Sequence, residues 1–416
     1  MFKKIFVSFC LFIGIIAFGQ DATSSPYSFY GIGELKFKGS VEQRAMGGLS
    51  IFRDSLHINL QNPAGVSRLT FTTFTVGANT NSSVLATAAA DNVAKRTSID
   101  YLAVGLPLGK LGVSFGLLPF SAVGYQIAVN NPSPDILFKS YDGSGSINKV
   151  FLSAAYNINK NLSAGINVES NFGKITTNSV QYPNDIEFGT REFNTSNASG
   201  INTSLGLMYN STLKSKIQYS AGLTFVPASN LTFANQRFVS IEQFSPAGLQ
   251  LTVDAAEVSV PENKIKIPSK LSFGVGVGEN RKWQIGTEIV YQSASNFGER
   301  FNNISNVSFE TSTLLKLGGY YTPKYNSFTS YFQRVTYRGG FNYQNSGLVI
   351  NNKSINEQNI SIGLGLPLGG TFSNMNISFE KGRRGTKLAG LVIEDYTNLS
   401  ISLSLNDKWF VKRRFE

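Results

Sequence analysis

Leu399, Ile401, Leu403 and Leu405 alternate with Ser400, Ser402 and Ser404, and the same period of two recurs along most of the chain. Leu271, Phe273, Val275 and Val277 alternate with Ser272, Gly274, Gly276 and Gly278, and Ile360, Ile362, Leu364 and Leu366 alternate with Ser361, Gly363 and Gly365. In an extended chain successive side chains point to opposite faces. Each run therefore has one apolar face and one face of Ser, Gly, Asn, Gln or Thr. A soluble sandwich would bury the apolar face and cover the other with Lys and Glu. Only 15% of the residues are charged, too few for so large a water-facing surface. Apolar side chains outward and small polar ones inward suit a barrel in lipid, where the absence of solvent hydrogen-bond partners forces the sheet to close. The expected fold is all-β: a closed transmembrane antiparallel β-barrel in the outer membrane of a Gram-negative-type bacterium.

Strands are expected near 69–80, 97–107, 111–127, 146–158, 162–177, 195–210, 217–232, 267–278, 283–294, 310–321, 334–344, 357–368, 373–383 and 396–411. About fourteen is an even number, so both barrel ends fall on the periplasmic side. Short connections at 109–110, 159–161, 213–216 and 279–282 suit periplasmic turns. Long ones at 128–145, 178–194, 233–266 and 295–309 suit outer loops, although strict alternation of short and long fails in places. Within the first of these, Asp142-Gly143-Ser144-Gly145 reads as a turn.

Ahead of the strands, residues 1–19 read as a signal peptide, with Lys3 and Lys4 before an apolar run and Ala17-Phe18-Gly19 as the cleavage pattern. Cys10 is the only cysteine and lies in that apolar run, so the mature chain would carry neither a disulfide nor a thiolate metal site. Removing the two lysines takes the net charge of +11 to 11 − 2 = +9. Lys and Arg are scattered through turns, with one run at Lys412-Arg413-Arg414. That distribution points to outer-membrane lipid and lipopolysaccharide phosphates as partners, not to nucleic acid.

Residues 20–68 are expected to form a plug (hatch) inside the barrel or an arm packed beneath it, followed by a barrel over 69–411 and a basic tail at 412–416. Gly47 and Gly48 allow close backbone approach. Asn62 and Pro63 interrupt any ladder, and Ala64 and Gly65 lead into the first strand. Asp100, Glu169, Glu288, Lys316, Arg338 and Glu380 fall on the inward face, either along a solute path or paired with one another or with the plug.

His57 is the only histidine, which excludes a multi-histidine metal site, and no nucleophile elbow or phosphate-cradling loop is present. No catalytic activity, metal or cofactor is expected.

Ala45-Met46-Gly47-Gly48, Asp54 and Asn62-Pro63-Ala64-Gly65 resemble the hatch of the FadL-type outer-membrane channels for fatty acids and other hydrophobic compounds. That resemblance implies a fourteen-strand barrel with an N-terminal hatch. It also implies that Pro119 and Gly124 lie in a kinked third strand, where a hydrophobic ligand leaves sideways into the membrane. The family includes non-transporting members such as the PorV-type barrels of the type IX secretion machinery. The expected function is passive uptake of hydrophobic small molecules through a plugged barrel with a lateral exit. The alternative is a non-transporting barrel subunit of an outer-membrane protein secretion or assembly complex, bound to another envelope protein. Ile136, Leu137 and Phe138, with Phe233, Phe238, Ile241 and Phe244, are read as a ligand-catching surface on outer loops or as loop packing that caps the barrel. A hatch that gates the exit would place Asn62 and Pro63 against the wall near Pro119 and Gly124.

Overall fold

The computed structural model describes residues 23–88, 90–184, 187–212, 216–244, 250–294, 306–369 and 372–409. The expected signal peptide and the 412–416 tail lie outside the described residues. Fourteen antiparallel strands form the barrel. They are β1 Thr72–Ala86, β2 Asp91–Leu108, β3 Leu111–Ser133, β4 Ile136–Asn157, β5 Leu162–Pro183 and β6 Phe188–Thr212. β7 runs in two pieces, Ile217–Val226 and Ser229–Phe244, interrupted at Pro227. β8 runs in three, Gln250–Val258, Asn263–Ile267 and Lys270–Glu279, interrupted at Pro261 and Pro268. Proline lacks the N–H that a ladder needs. The remainder are β9 Trp283–Gln292, β10 Val307–Phe309 with Ser312–Tyr321, β11 Thr336–Ile350, β12 Lys353–Pro367, β13 Asn374–Gly385 and β14 Ile393–Asp407. β14 pairs with β1 from Asp407↔Thr72 to Ile393↔Ala86, which closes the ring.

The alternation resolves as the lipid environment demands. Leu399, Ile401, Leu271, Phe273 and Val275 face outward, while Ser400, Ser402, Ser404 and Ser272 are buried on the inner face. The connections at 109–110, 158–161 and 280–282 are short and lie at one end, which we take as periplasmic.

Most of the expected outer loops are sheet. The 128–145 stretch is a hairpin with a two-residue turn at Pro134-Asp135, and Asp142 to Gly145 pair with β3 inside it. The 178–194 and 233–266 stretches likewise continue β5, β6, β7 and β8. Beyond the lipid both faces of a strand meet water or protein, so the two-residue period that marks a membrane strand fades. Residues 295–305, most of the fourth expected loop, lie outside the described residues.

Residues 23–71 lie within the ring of strands as a plug. It comprises a 3-10 turn Pro26–Phe29, a two-residue strand Glu34–Leu35, the short helix α1 Val41–Arg44 and a second 3-10 turn Pro63–Arg68. The Gln43 side-chain oxygen accepts from the Ser40 N–H at 3.1 Å and so caps the start of α1. Inward glycines of the wall make the room. A Cβ on Gly340 would lie 2.1 Å from the Gly47 nitrogen, and one on Gly318 would lie 2.3 Å from the Met46 carbonyl oxygen. Gly47 and Gly48 hold φ of 65° and 87°, a region costly for other residues.

Candidate functional site

The site is the interior, where plug meets wall. Asn62 is buried, its side-chain oxygen accepts from the Ala64 N–H at 3.1 Å, and its amide donates to the Leu207 carbonyl at 3.1 Å. Pro63 and Ala64 press on Gly165 and Gly206 of β5 and β6, and Gly65 packs on Asn59. This turn therefore stands against β5–β7, not against Pro119 and Gly124 as a gating hatch requires. Wall glycines far apart in sequence, at 165, 206 and 222, make a seat there that the plug segment itself does not reveal.

Five of the six inward charges meet the plug. Arg44 of α1 pairs with Asp100 at 2.8 Å and Glu380 at 3.5 Å. Lys38 and Lys149 pair with Glu169 at 2.5 and 3.0 Å. Lys316 pairs with Glu288 at 2.8 Å and donates to the Gly48 carbonyl, and the Ser50 N–H and hydroxyl both donate to Glu288 at 2.9 Å. Arg338 makes its hydrogen bond within the wall, to Asn376 at 3.0 Å, and meets the plug only through the charges of Glu42 and Asp54.

A second cluster escaped the sequence reading. Arg384 of β13 pairs with Glu34 of the plug and with Glu357 of β12, both at 2.7 Å, and with Glu394 of β14 at 3.7 Å. Ser25 donates to Glu394 at 2.8 Å, Lys36 pairs with Glu34 at 2.9 Å, and the Tyr27 hydroxyl donates to the Val392 carbonyl. Burial alone would raise the Glu34 carboxyl, but Lys36 and Arg384 outweigh it and hold it well below the usual carboxylate range. The signal was available: extending the Ser400, Ser402, Ser404 parity backwards puts Tyr396 and Glu394 on the inner face.

The wall opens beside β3. Its pairing with β2 runs only from Leu108↔Leu111 to Leu102↔Leu117. Above that, β2 pairs with β1 and β3 with β4. A bulge between Pro119 and Ser121 bends β3 at this point. The plug occupies the freed edge: Glu34 pairs with Ala122, Leu35 with Ser121, and the Lys36 N–H donates to the Phe120 carbonyl. The Gly124 N–H donates to the Ser28 hydroxyl at 3.2 Å. Next to this edge Ile32 packs into an apolar layer of Val123, Ile147, Ile175, Leu231, Phe233 and Ile265, with Phe29 against it.

The residues read as a ligand-catching surface do not share a face. Phe233 is inside that apolar layer, whereas Leu137, Phe238 and Ile241 are exposed on strands, with Ile136 and Phe138 at the β4 end. Phe244 pairs by its backbone with Gln250. Below the layer lies a cavity of about 350 Å³. Seven carboxylates and eight cationic side chains line it, among them Glu34, Lys38, Arg44, Glu169, Lys316 and Arg384.

His57 is buried in the plug with Nδ1 2.8 Å from the Asp54 carboxylate. Among the described residues no serine hydroxyl is hydrogen-bonded to its ring.

A fourteen-strand barrel with an N-terminal plug and a wall opened beside its third strand has the fold of the FadL-type outer-membrane barrels. The solved barrels it resembles belong to hydrophobic-compound channels. The toluene transporter TbuX of Ralstonia pickettii matches at 14% identity and TM-score 0.60, over 89% of this chain and 99% of that one. The toluene transporter TodX of Pseudomonas putida matches at 15% and 0.57, over 90% and 99%. A Pseudomonas aeruginosa FadL homologue matches at 11% and 0.60, over 90% and 99%. No curated protein sequence matches. The BamG family model matches residues 1–416, and the chain belongs to the BamG family.

Proposed function

We propose that this chain is a non-transporting barrel subunit of an outer-membrane protein secretion or assembly complex. One observation carries the reading: plug and wall are interlocked on several sides of the lumen by largely buried polar contacts, the ion pairs at Arg44, Lys38 and Glu34–Arg384 and the hydrogen bonds of Ser50 and Gly48 to the wall pair Glu288–Lys316. Breaking a fully buried pair costs ~3–5 kcal/mol and a part-exposed one less, so displacing the plug for a passing solute is opposed at each contact, and the opposition adds up around the lumen. The cavity below sets fifteen charged side chains among its apolar ones, and a hydrocarbon lodged there would desolvate them without pairing them.

Uptake of a hydrophobic small molecule with a lateral exit is the second reading, and the unpaired stretch between β2 and β3 favours it. TbuX and TodX, named as toluene transporters, have barrels of this fold. On this reading the segment from Pro26 to Leu35, which covers the β3 edge, would be the part that moves.

A paired measurement decides. Cells with and without the chain are compared for uptake of a fluorescent hydrophobic probe, and proteins recovered with a tagged barrel are quantified. The subunit reading expects unchanged uptake and a stoichiometric protein. Uptake that depends on the chain, rises in Arg384→Ala, and comes with no recovered protein would replace it by the channel.

A further inference from the structure

Between β10 and β11 the chain makes a connection over 322–335 at the periplasmic end, far longer than the turns at 109–110 and 280–282. It holds Tyr325, Phe328, Tyr331 and Phe332, and all four rings are exposed. Phe328 is 101% and Phe332 73% exposed. Large aromatic side chains left in water mark a surface that something else covers.

The loop is built. The Lys324 N–H donates to the Gln333 carbonyl at 2.8 Å, the Arg334 N–H to the Tyr331 carbonyl at 2.9 Å, and the Thr322 N–H to the Lys282 carbonyl in the neighbouring turn at 2.6 Å. Arg281 stacks on the Tyr325 ring at 5.2 Å, Arg334 lies 5.4 Å from the Tyr331 ring, and Tyr331 meets Phe332 edge-on. Ser327 and Val335 are buried beneath. Aromatic anchors already ordered in the free protein lose little entropy on binding, and such residues dominate the energetics of protein interfaces.

Position and charge select the occupant. Trp283, Tyr321 and Tyr337 stand side by side at the strand ends and face outward, as an interfacial aromatic girdle does. The loop continues past that girdle on its water side, so its tip faces the periplasm. Residues 321–335 include Lys324 and Arg334 and no Asp or Glu, and Arg281 adds a third cation beside them.

We propose that this loop docks a periplasmic protein through an apolar pocket rimmed by Asp and Glu, with Phe328 and Phe332 as the anchors. The proposal rests on the subunit reading and names its contact surface.

The test uses the full chain in its own envelope, with a photo-crosslinking residue at Phe328. A protein adduct of one size is expected. The same protein should co-purify with the tagged barrel, and its recovery should fall at least tenfold in Phe328→Ser/Phe332→Ser and in Lys324→Glu/Arg334→Glu. Raised salt should weaken the wild-type association. Each variant is checked for unchanged heat-modifiable migration, which reports an intact barrel. Adducts to lipid alone would assign the loop to the membrane interface and overturn the proposal. Full recovery of a partner in both loop variants would overturn it while leaving the subunit reading in place. Recovery of no protein with the wild-type chain would overturn both.

Discussion

A methyl group on Gly340 has no space, because the Gly47 nitrogen stands 2.1 Å from where it would lie. Gly340→Val should therefore push the plug off the wall at a cost of ~1–3 kcal/mol, the usual range for overpacking. A cysteine placed at the buried Leu49 should then label faster while the barrel still migrates as a folded species; unchanged labelling would mean the close approach is not what holds the plug. Glu288 and Lys316 give a second residue-level outcome. Glu288→Gln leaves the buried Lys316 without its carboxylate and should lower stability by ~3–5 kcal/mol, whereas Glu288→Gln/Lys316→Met should lower it less. Urea unfolding of single and double variants measures this, and a double variant worse than the single refutes it. His57 adds a pH dependence. Burial works to lower its pKa, but the Asp54 carboxylate outweighs burial and raises it, while Asp54 itself is held down at about 2 against the pull of its own burial. A raised histidine stabilises fully below its unfolded value of ~6.5 and loses that contribution as pH climbs through the folded value. Asp54 keeps its share above ~4 and loses it as pH falls toward the depressed value. Stability to urea should thus fall in the wild type as pH climbs above ~6.5, and that fall should be lost in Asp54→Asn; identical profiles would sink the pairing.

Strands were legible wherever lipid imposes a face. β14 could be read from Leu399, Ile401 and Leu405 against Ser400, Ser402 and Ser404, and the structure keeps that parity. Ile401→Arg should accordingly cost ~2–4 kcal/mol near the bilayer midplane and reduce membrane yield. Val275→Arg should do the same, while a methyl group added at the inward Ser402, as Ser402→Thr, should be milder; equal yields would place the faces wrongly. The upper parts of β3 to β8 were not legible. There Asp142, Gly143, Ser144 and Gly145 look like a turn because no lipid selects an apolar side, yet they sit in a ladder opposite Gln126 to Val123. The hairpin tip at Pro134-Asp135 follows from the ladder, not from composition. An epitope inserted there should be reached by antibody on intact cells, and one inserted at 158–161 should not; the reverse pattern would invert the barrel.

Across the molecule, the barrel, its strand number and the plug could be read from the chain, while the way plug and wall meet could not. Inward charges such as Glu169 and Lys316 were visible on their strands, but their partners Lys38 and Gly48 lie hundreds of residues away or nearly so, and period-two patterns carry no information about such distances. The separation matters in another respect. Ser50 meets Glu288 across 238 residues, Gly47 meets Ser361 across 314, and Ser25 meets Glu394 across 369. The ring closes only when the last strand finds the first, from Asp407 at Thr72. A plug held to this many strands, and seated backbone against backbone at Gly318 and Gly340, is too closely held to be threaded through a finished cylinder. The contacts favour an order in which the wall is laid around a plug already in place, with Lys38, Arg44 and Glu34 meeting carboxylates and guanidinium groups that arrive later. Contacts this remote are formed slowly. The N-terminal segment therefore serves as the mandrel on which the barrel is wound, and the last strand to arrive completes the charge pairs as it shuts the seam.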